Sequence, residues 1–289
     1  MYVVSGRSPL ALRSLLFVPG GRPEMLAKVA RCRPDVVVAD LEDAVAPPDK
    51  ERARDAALTA LRAQRPGAGT VLVRINPSGT PWHAADVAAC VGSGSAVNGV
   101  VLPKYEHVDQ LRTVRTALPA EARVVVGLES ALGIADARAL LTAEGTTRPD
   151  AAYFGAEDLI ADLGGRRTRE GTEVLYARSQ VCLAAHLADV PSVDQAVVAA
   201  RDVEHFRSDA ARGRDLGYHG KICLHPAQVE LAHEMFTPSA AEVAHAHEVM
   251  TAAAAGVGVV DGEMVDAVHV AMARRVLARA GAQTRAPAQ

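Results

Sequence analysis

Residues 36–43 read Val36-Val37-Val38-Ala39-Asp40-Leu41-Glu42-Asp43. Four apolar residues in a row, three of them β-branched, do not alternate with polar ones. A strand built from them has both faces covered, as in a parallel sheet clad by helices. The run then stops at three acids in four residues, Asp40, Glu42 and Asp43. Similar short runs lie at 15–18, 71–75, 99–102, 124–128, 151–154, 193–197 and 221–224. Segments with helical spacing separate them at 23–30, 49–61, 109–118, 134–141, 172–187 and 203–216. The first of these begins on Pro23, suited to an opening helical turn. Eight strands alternating with helices, about 21 to 42 residues apart, predict an α/β fold, the (β/α)8 TIM barrel. The alternative is a doubly wound open sheet, and the lack of a glycine-rich dinucleotide fingerprint after the first strand weakens it.

The chain has 289 residues. A barrel of this kind takes about 250, which leaves a surplus. The barrel is expected over 1–235. Residues 236–289 are expected to form a C-terminal helical lid, with helices near 239–255 and 264–280, a glycine-rich break at 256–258 and a frayed end. Apolar residues make up 49% and charged residues 22%, as in a soluble globular chain. Aromatics are only 3% and net charge is −3, so neither stacking platforms nor a basic face for nucleic acid is expected. No apolar run reaches the roughly 18 residues of a membrane span. Cys32, Cys90, Cys182 and Cys223 are scattered, with no metal or redox spacing, and read as thiols of a reducing, cytoplasmic compartment. Arg13 interrupts the apolar N-terminus, and no signal peptide is expected.

In a parallel barrel the chemistry sits at the carboxyl ends of the strands. Here those ends carry Asp40, Glu42 and Asp43 after the second run, Arg74 and Asn76 at the third, Lys104 after the fourth and Glu129 after the fifth. Glu157 and Asp158 follow the sixth run, and His225 the eighth. Acids after strands often cap helices. Glu129 and Asp158, however, end neighbouring strands, and two hard carboxylates with open positions are a usual way to hold Mg²⁺. Arg74 suits a bidentate pair with a carboxylate, either of a substrate or of the Asp40–Asp43 cluster. Lys104 suits either the rim acids or an anionic ligand. His225 reads as a packing or capping residue. No Ser-His-Asp triad is legible.

With these residues placed, the sequence resembles the citrate lyase β-subunit-like (CitE-like) branch of the HpcH/HpaI aldolase family, over about residues 12 to 280. The matching stretches are 13–20, 40–45, 73–76, 102–104, 128–133, 154–159 and 220–226, in the family's order. The resemblance implies a TIM barrel with a divalent metal, Mg²⁺ or Mn²⁺, on Glu129 and Asp158, and a substrate-binding role for Arg74. Family members cleave or form carbon–carbon bonds in β-hydroxyacyl thioesters such as citryl-, malyl- or citramalyl-CoA. Related aldolases act on free 2-oxo acids and carry a histidine where this chain has Asp43, a departure that disfavours such substrates. Several acyl-CoA lyases of the family have a lid aspartate that covers the neighbouring subunit's site. The stretch 260–266 looks like that lid and puts the aspartate at Asp266.

The resemblance thus implies retro-Claisen chemistry on an acyl-CoA or acyl-carrier thioester by a homo-oligomer, a trimer or hexamer. Arg74 would stabilise developing charge, Asp266 would transfer a proton, and Glu42 and Asp43 would orient the site. Arg13, Arg22, Lys28 and Lys104, with Arg74, are the candidates for binding the substrate and the CoA phosphates. The alternatives are a malate synthase or thioesterase type of acyl-CoA enzyme, a free 2-oxo-acid aldolase, or a non-catalytic lyase subunit.

Overall fold

The computed structural model describes residues 10–143, 148–254 and 258–284. They fall into two compact units that divide between His233 and Glu234. In the first unit eight parallel strands close into a barrel in chain order. They are β1 (Ser14–Pro19), β2 (Val36–Asp40), β3 (Thr70–Arg74), β4 (Gly99–Leu102), β5 (Arg123–Leu128), β6 (Ala151–Phe154), β7 (Ser192–Asp194) and β8 (Gly220–Cys223). The pairing of β8 with β1, Leu15 opposite Ile222, shuts the sheet and excludes the open alternative. The helices are α1 (Pro23–Leu26), α2 (Lys50–Ala63), α3 (His83–Val91), α4 (Val108–Ala117), α5 (Ala131–Ala135), α6 (Ala137–Leu141), α7 (Ala156–Leu163), α8 (Leu175–Leu187), α9 (Val203–Leu216) and α10 (Pro226–Phe236).

The apolar runs become strands because they bury both faces. Leu15, Phe17, Val36, Val38, Leu72, Val101, Val125, Tyr153 and Ile222 form one core cluster. Their neighbours Leu16, Val37, Val71, Val100 and Val124 are buried as well, on the opposite side of the pleat. Three helices, α3, α7 and α10, lie in segments where no helix was predicted. The predicted helix at 23–30 is instead the short α1 and a 3-10 turn, Val29–Arg31. The seventh strand is shorter than its apolar run. Past Asp194 the Gln195 amide turns to Asp209, and the Val197 carbonyl accepts from Gln228 Nε2 at 3.0 Å, so side chains replace the ladder there.

Beside β7 and β8 lies a network of buried charges. Arg178 bonds Asp194 and Asp209, and the fully buried Lys221 ammonium meets the same two carboxylates. Two cations against two acids satisfies the rule that interior charge must be paired.

In the second unit α11 (Ala240–Ala254) and α12 (Ala267–Thr284) pack together around Ala246, Val249, Val265 and Ala273. The last helix was expected from 264. It begins at Ala267 because the preceding residues form a hairpin, β9 (Gly258–Val260) with β10 (Glu263–Val265). Its two-residue turn, Asp261-Gly262, has positive φ at both positions (52° and 84°), as such a tight turn requires. Of the glycine-rich break expected at 256–258, only Gly258 is among the described residues. Among the described residues, no helix is long and apolar enough to cross a membrane, and the four cysteines are free thiols.

Candidate active site

The carboxyl-end rim is built outward from β2. Asp40 closes that strand and folds the next loop onto itself. Its carboxylate accepts from the backbone of Glu42 at 2.9 Å and of Ala44 at 3.3 Å. The same carboxylate takes a bidentate pair from Arg74 at the end of β3, Nε and Nη2 each donating at 2.7 Å. Buried Lys50 pins the loop from the far side by donating to the carbonyls of Leu41 (2.9 Å) and Glu42 (2.6 Å). The loop therefore holds Glu42 and Asp43 against Arg74 Nη1, at 2.8 and 3.3 Å. The Arg74 guanidinium also lies 5.1 Å from the centre of the Phe17 ring, a cation–π contact inside the barrel mouth. Burial works against its charge, but Asp40 and then Glu42 hold its pKa well above the usual value.

Glu129 follows β5, and Ser130 starts α5 directly after it by accepting from the Gly133 amide at 3.2 Å. The Glu129 side chain is fixed at both oxygens. Oε1 accepts from the Lys104 backbone N–H at 2.8 Å, and Oε2 from the Tyr153 hydroxyl at 2.9 Å. Burial, the charge of Glu42 and, further down, that of Asp158 push its pKa up to about 8. Burial likewise raises the pKa of Glu42. Asp158 sits in the first turn of α7, partly open to solvent. Lys104 joins the two sides of the rim. Its ammonium is 2.7 Å from Glu42 Oε1, 3.1 Å from Asp158 Oδ1 and 4.0 Å from Asp43 Oδ1.

The rim thus gathers Glu42, Asp43, Arg74, Lys104, Glu129 and Asp158. Of the two roles open to Lys104, its ammonium takes the one facing the rim acids. Tyr153 and Phe17 were missed. Both lie inside apolar runs, and the one available signal was that a buried tyrosine hydroxyl needs a partner. Arg22 and Lys28 are exposed beyond the carboxyl end of β1, Arg22 pairing with Glu24 at 2.5 Å. Arg13 has to be taken out of the CoA-binding candidates. It precedes β1, at the amino-end mouth, and its guanidinium is committed to Asp35 at 2.9 and 2.7 Å. His225 accepts from the Ala227 amide at 3.2 Å, in keeping with a capping role. In the second unit Asp266 caps α12, accepting from Val268 and His269 amides at 2.8 and 3.1 Å. Its side chain stays 56% exposed, so the cap leaves the carboxylate accessible.

The donor set fits a hard divalent cation. Each carboxylate has about four lone-pair directions, and the two hydrogen bonds to Glu129 leave others free. Glu42 Oε2 is buried without a hydrogen bond and faces the Arg74 Nη1 charge at 2.8 Å. Asp158, partly open to solvent, offers further oxygens, and the Lys104 ammonium lies beside it and Glu42. Oxygen donors free of sulfur or imidazole suit Mg²⁺ or Mn²⁺ better than softer ions.

A closed parallel barrel with acids, an arginine and a lysine gathered at its carboxyl-end rim is a TIM-barrel enzyme. More narrowly, the chain belongs to the HpcH/HpaI aldolase/citrate lyase family, whose model matches residues 13–226. It is 43% identical over 284 residues to a citrate lyase subunit beta-like protein of Deinococcus radiodurans, covering 93% of this chain and 97% of that one. It is 33% identical over 276 residues to a (3S)-malyl-CoA thioesterase of Cereibacter sphaeroides, covering 93% and 95%. Among solved structures it is similar to CitE from Mycobacterium tuberculosis in complex with magnesium, acetoacetate and coenzyme A. That match has a TM-score of 0.79 and 32% identity, covering 93% of this chain and all of the other.

Proposed function

We propose that this chain is a Mg²⁺-dependent carbon–carbon lyase that cleaves or forms β-hydroxyacyl-CoA thioesters such as malyl-, citramalyl- or citryl-CoA. The observation that carries it is the convergence of Glu42, Glu129 and Asp158 beside Arg74 on one rim, in a chain similar along its length to a CitE that binds magnesium and coenzyme A. In the cleavage direction the β-hydroxyl loses its proton and the adjacent carbon–carbon bond breaks. The hydroxyl carbon becomes a carbonyl, and the electron pair passes to the α-carbon as the thioester enolate, which is then protonated. Glu129 and Asp158 would hold a Mg²⁺, which would supply Lewis acidity toward the hydroxyl oxygen.

The chain's own groups do the rest. Arg74, held rigid by Asp40, turns its Nη1 edge toward developing negative charge. Glu42 and Asp43 orient that edge. Asp266 moves the proton at the α-carbon, from a lid that reaches the site of a neighbouring subunit in a homo-oligomer, a trimer or hexamer. Free thiols among the described residues support a cytoplasmic setting.

The test is to supply purified enzyme and Mg²⁺ with malyl-, citramalyl- and citryl-CoA and to follow the thioester and free CoA separately. A lyase releases an oxo acid and a shorter acyl-CoA, with total thioester conserved. Glu129→Gln should abolish this. Turnover in Glu129→Gln equal to wild type would sink the proposal. The similarity to a malyl-CoA thioesterase favours a second reading, hydrolysis, in which free CoA appears as thioester is lost.

A further inference from the structure

Asp158 faces two claims at once. It is the partner of Glu129 in the proposed metal site, and its Oδ1 lies 3.1 Å from the Lys104 ammonium. The same ammonium holds Glu42 Oε1 at 2.7 Å and stands 4.0 Å from Asp43 Oδ1. The Lys104 ammonium thus already occupies Asp158 Oδ1, an oxygen that a divalent ion held by Glu129 and Asp158 would compete for. We propose that Lys104 is a built-in counter-cation, exchanged for the divalent ion: its ammonium screens Glu42, Asp43 and Asp158 from one another and swings away when the metal takes its place. The inference rests on the reading of Glu129 and Asp158 as metal ligands.

Three further observations support it. The first is how the residue is mounted. The Lys104 backbone has φ +48°, a left-handed conformation that a side chain bearing a Cβ disfavours. In that conformation its N–H donates to Glu129 Oε1 at 2.8 Å. The main chain of Lys104 is thus tied to one proposed ligand, while its flexible stem carries the ammonium across to the other. The second is exposure. The Lys104 side chain is 36% exposed, whereas Lys221, paired with two acids in the wall, is 0% exposed. Lys104 can swing to water and Lys221 cannot.

The third is residue choice. The chain has 31 basic residues, of which only Lys28, Lys50, Lys104 and Lys221 are lysine. Arginine would clamp a carboxylate with a planar fork, as Arg74 does. An ammonium is a compact point charge with rotating donors, released by turning its own stem. Burial opposes its charge, but the Glu42 hydrogen bond and the Glu42, Asp158 and Asp43 charges keep it protonated at neutral pH.

The scarcity of lysine makes the exchange directly visible. In metal-stripped, full-length protein labelled with ¹⁵N at lysine, the Lys104 ammonium signal is assigned by its disappearance in Lys104→Met or Lys104→Arg. On titration with Mg²⁺ it should move to the position of a solvated ammonium in step with saturation, while the Lys50 and Lys221 signals stay in place. Calorimetry should show Mg²⁺ binding about tenfold tighter in Lys104→Met and weaker than wild type in Lys104→Arg. A Lys104 signal unmoved at saturating Mg²⁺, or a Lys104→Met affinity no tighter than wild type, overturns the proposal. If one variant fails to fold, the other still assigns the signal, and the wild-type titration then decides. Glu129→Gln separates the two levels. If it loses Mg²⁺ binding while Lys104→Met matches wild type, only the exchange fails. If Glu129→Gln binds as wild type does, the metal assignment fails and takes the exchange with it.

Discussion

Glu129 is enclosed, and burial with the charge of Glu42 lifts its pKa from the usual 4.5 to about 8. The sign follows from which form burial penalises. Between these two values the unfolded chain has released the proton and the metal-free folded chain keeps it. This group therefore makes the metal-free protein less stable as pH rises from about 4.5 to about 8. Metal binding needs the carboxylate, so Mg²⁺ affinity should climb through the same window, by up to tenfold per pH unit, and level off above about 8. Calorimetry across that range checks both the slope and the release of one proton per ion. A pH-independent affinity would show that Glu129 is ionised before the metal arrives. Tyr153→Phe removes the donor to Oε2 and leaves the ring packed against Phe17. It should weaken Mg²⁺ binding by about 10-fold to 100-fold with little loss of thermal stability. Glu129 and Asp158 were legible in the sequence because each comes after an apolar run, and Arg74 because it is a lone charge inside one. Tyr153 was not, since inside such a run a tyrosine counts as core and its hydroxyl partner comes from another strand. Arg13 misled because a basic residue beside a strand does not say which mouth of the barrel it occupies.

At the scale of elements, β5 and β6 fit together only because glycine stands at two places between them. A Cβ on Gly155 would lie 2.4 Å from Glu129 Cβ and 2.5 Å from its Oε2, and one on Gly127 would lie 2.3 Å from the Tyr153 hydroxyl. Gly155 has φ −103°, which alanine adopts freely, so contact and not backbone strain restricts the position. Gly155→Ala should push the Glu129 carboxylate off its two donors. Stability should fall by about 1–3 kcal/mol by chemical denaturation, and Mg²⁺ affinity by about tenfold or more. Wild-type affinity in that variant would mean that Glu129 tolerates displacement. The strands themselves were readable because barrel strands are buried on both faces and need no alternation. α7 was not, because the acids at its start read as rim residues and only a short stretch of periodicity follows. The β9–β10 hairpin was not, because its three-residue strands are shorter than any periodicity, although Asp261-Gly262 is a known signature of such a turn.

For the whole molecule, the decisive question is whether one active site draws on two chains. Asp266 lies in the second unit, and capping α12 explains its place there without any catalytic role. The cap and the charge can be separated. Asparagine caps a helix about as well as aspartate, so Asp266→Asn keeps α12 in place and removes the carboxylate. The expected result is a large fall in kcat, with Mg²⁺ affinity and melting temperature unchanged. If the lid serves a neighbouring subunit, two inactive chains should rescue one another. Co-expressed Glu129→Gln and Asp266→Asn chains would assemble mixed oligomers in which some sites combine an intact Glu129 rim with an intact Asp266 from the other chain. In a cyclic trimer with random mixing, each site has about one chance in four of that pairing, so activity near a quarter of wild type is expected. If the lid acts on its own subunit, every chain carries one lesion at its own site and the mixture stays inactive. The measured fraction therefore reports both whether Asp266 is catalytic and whose barrel it serves.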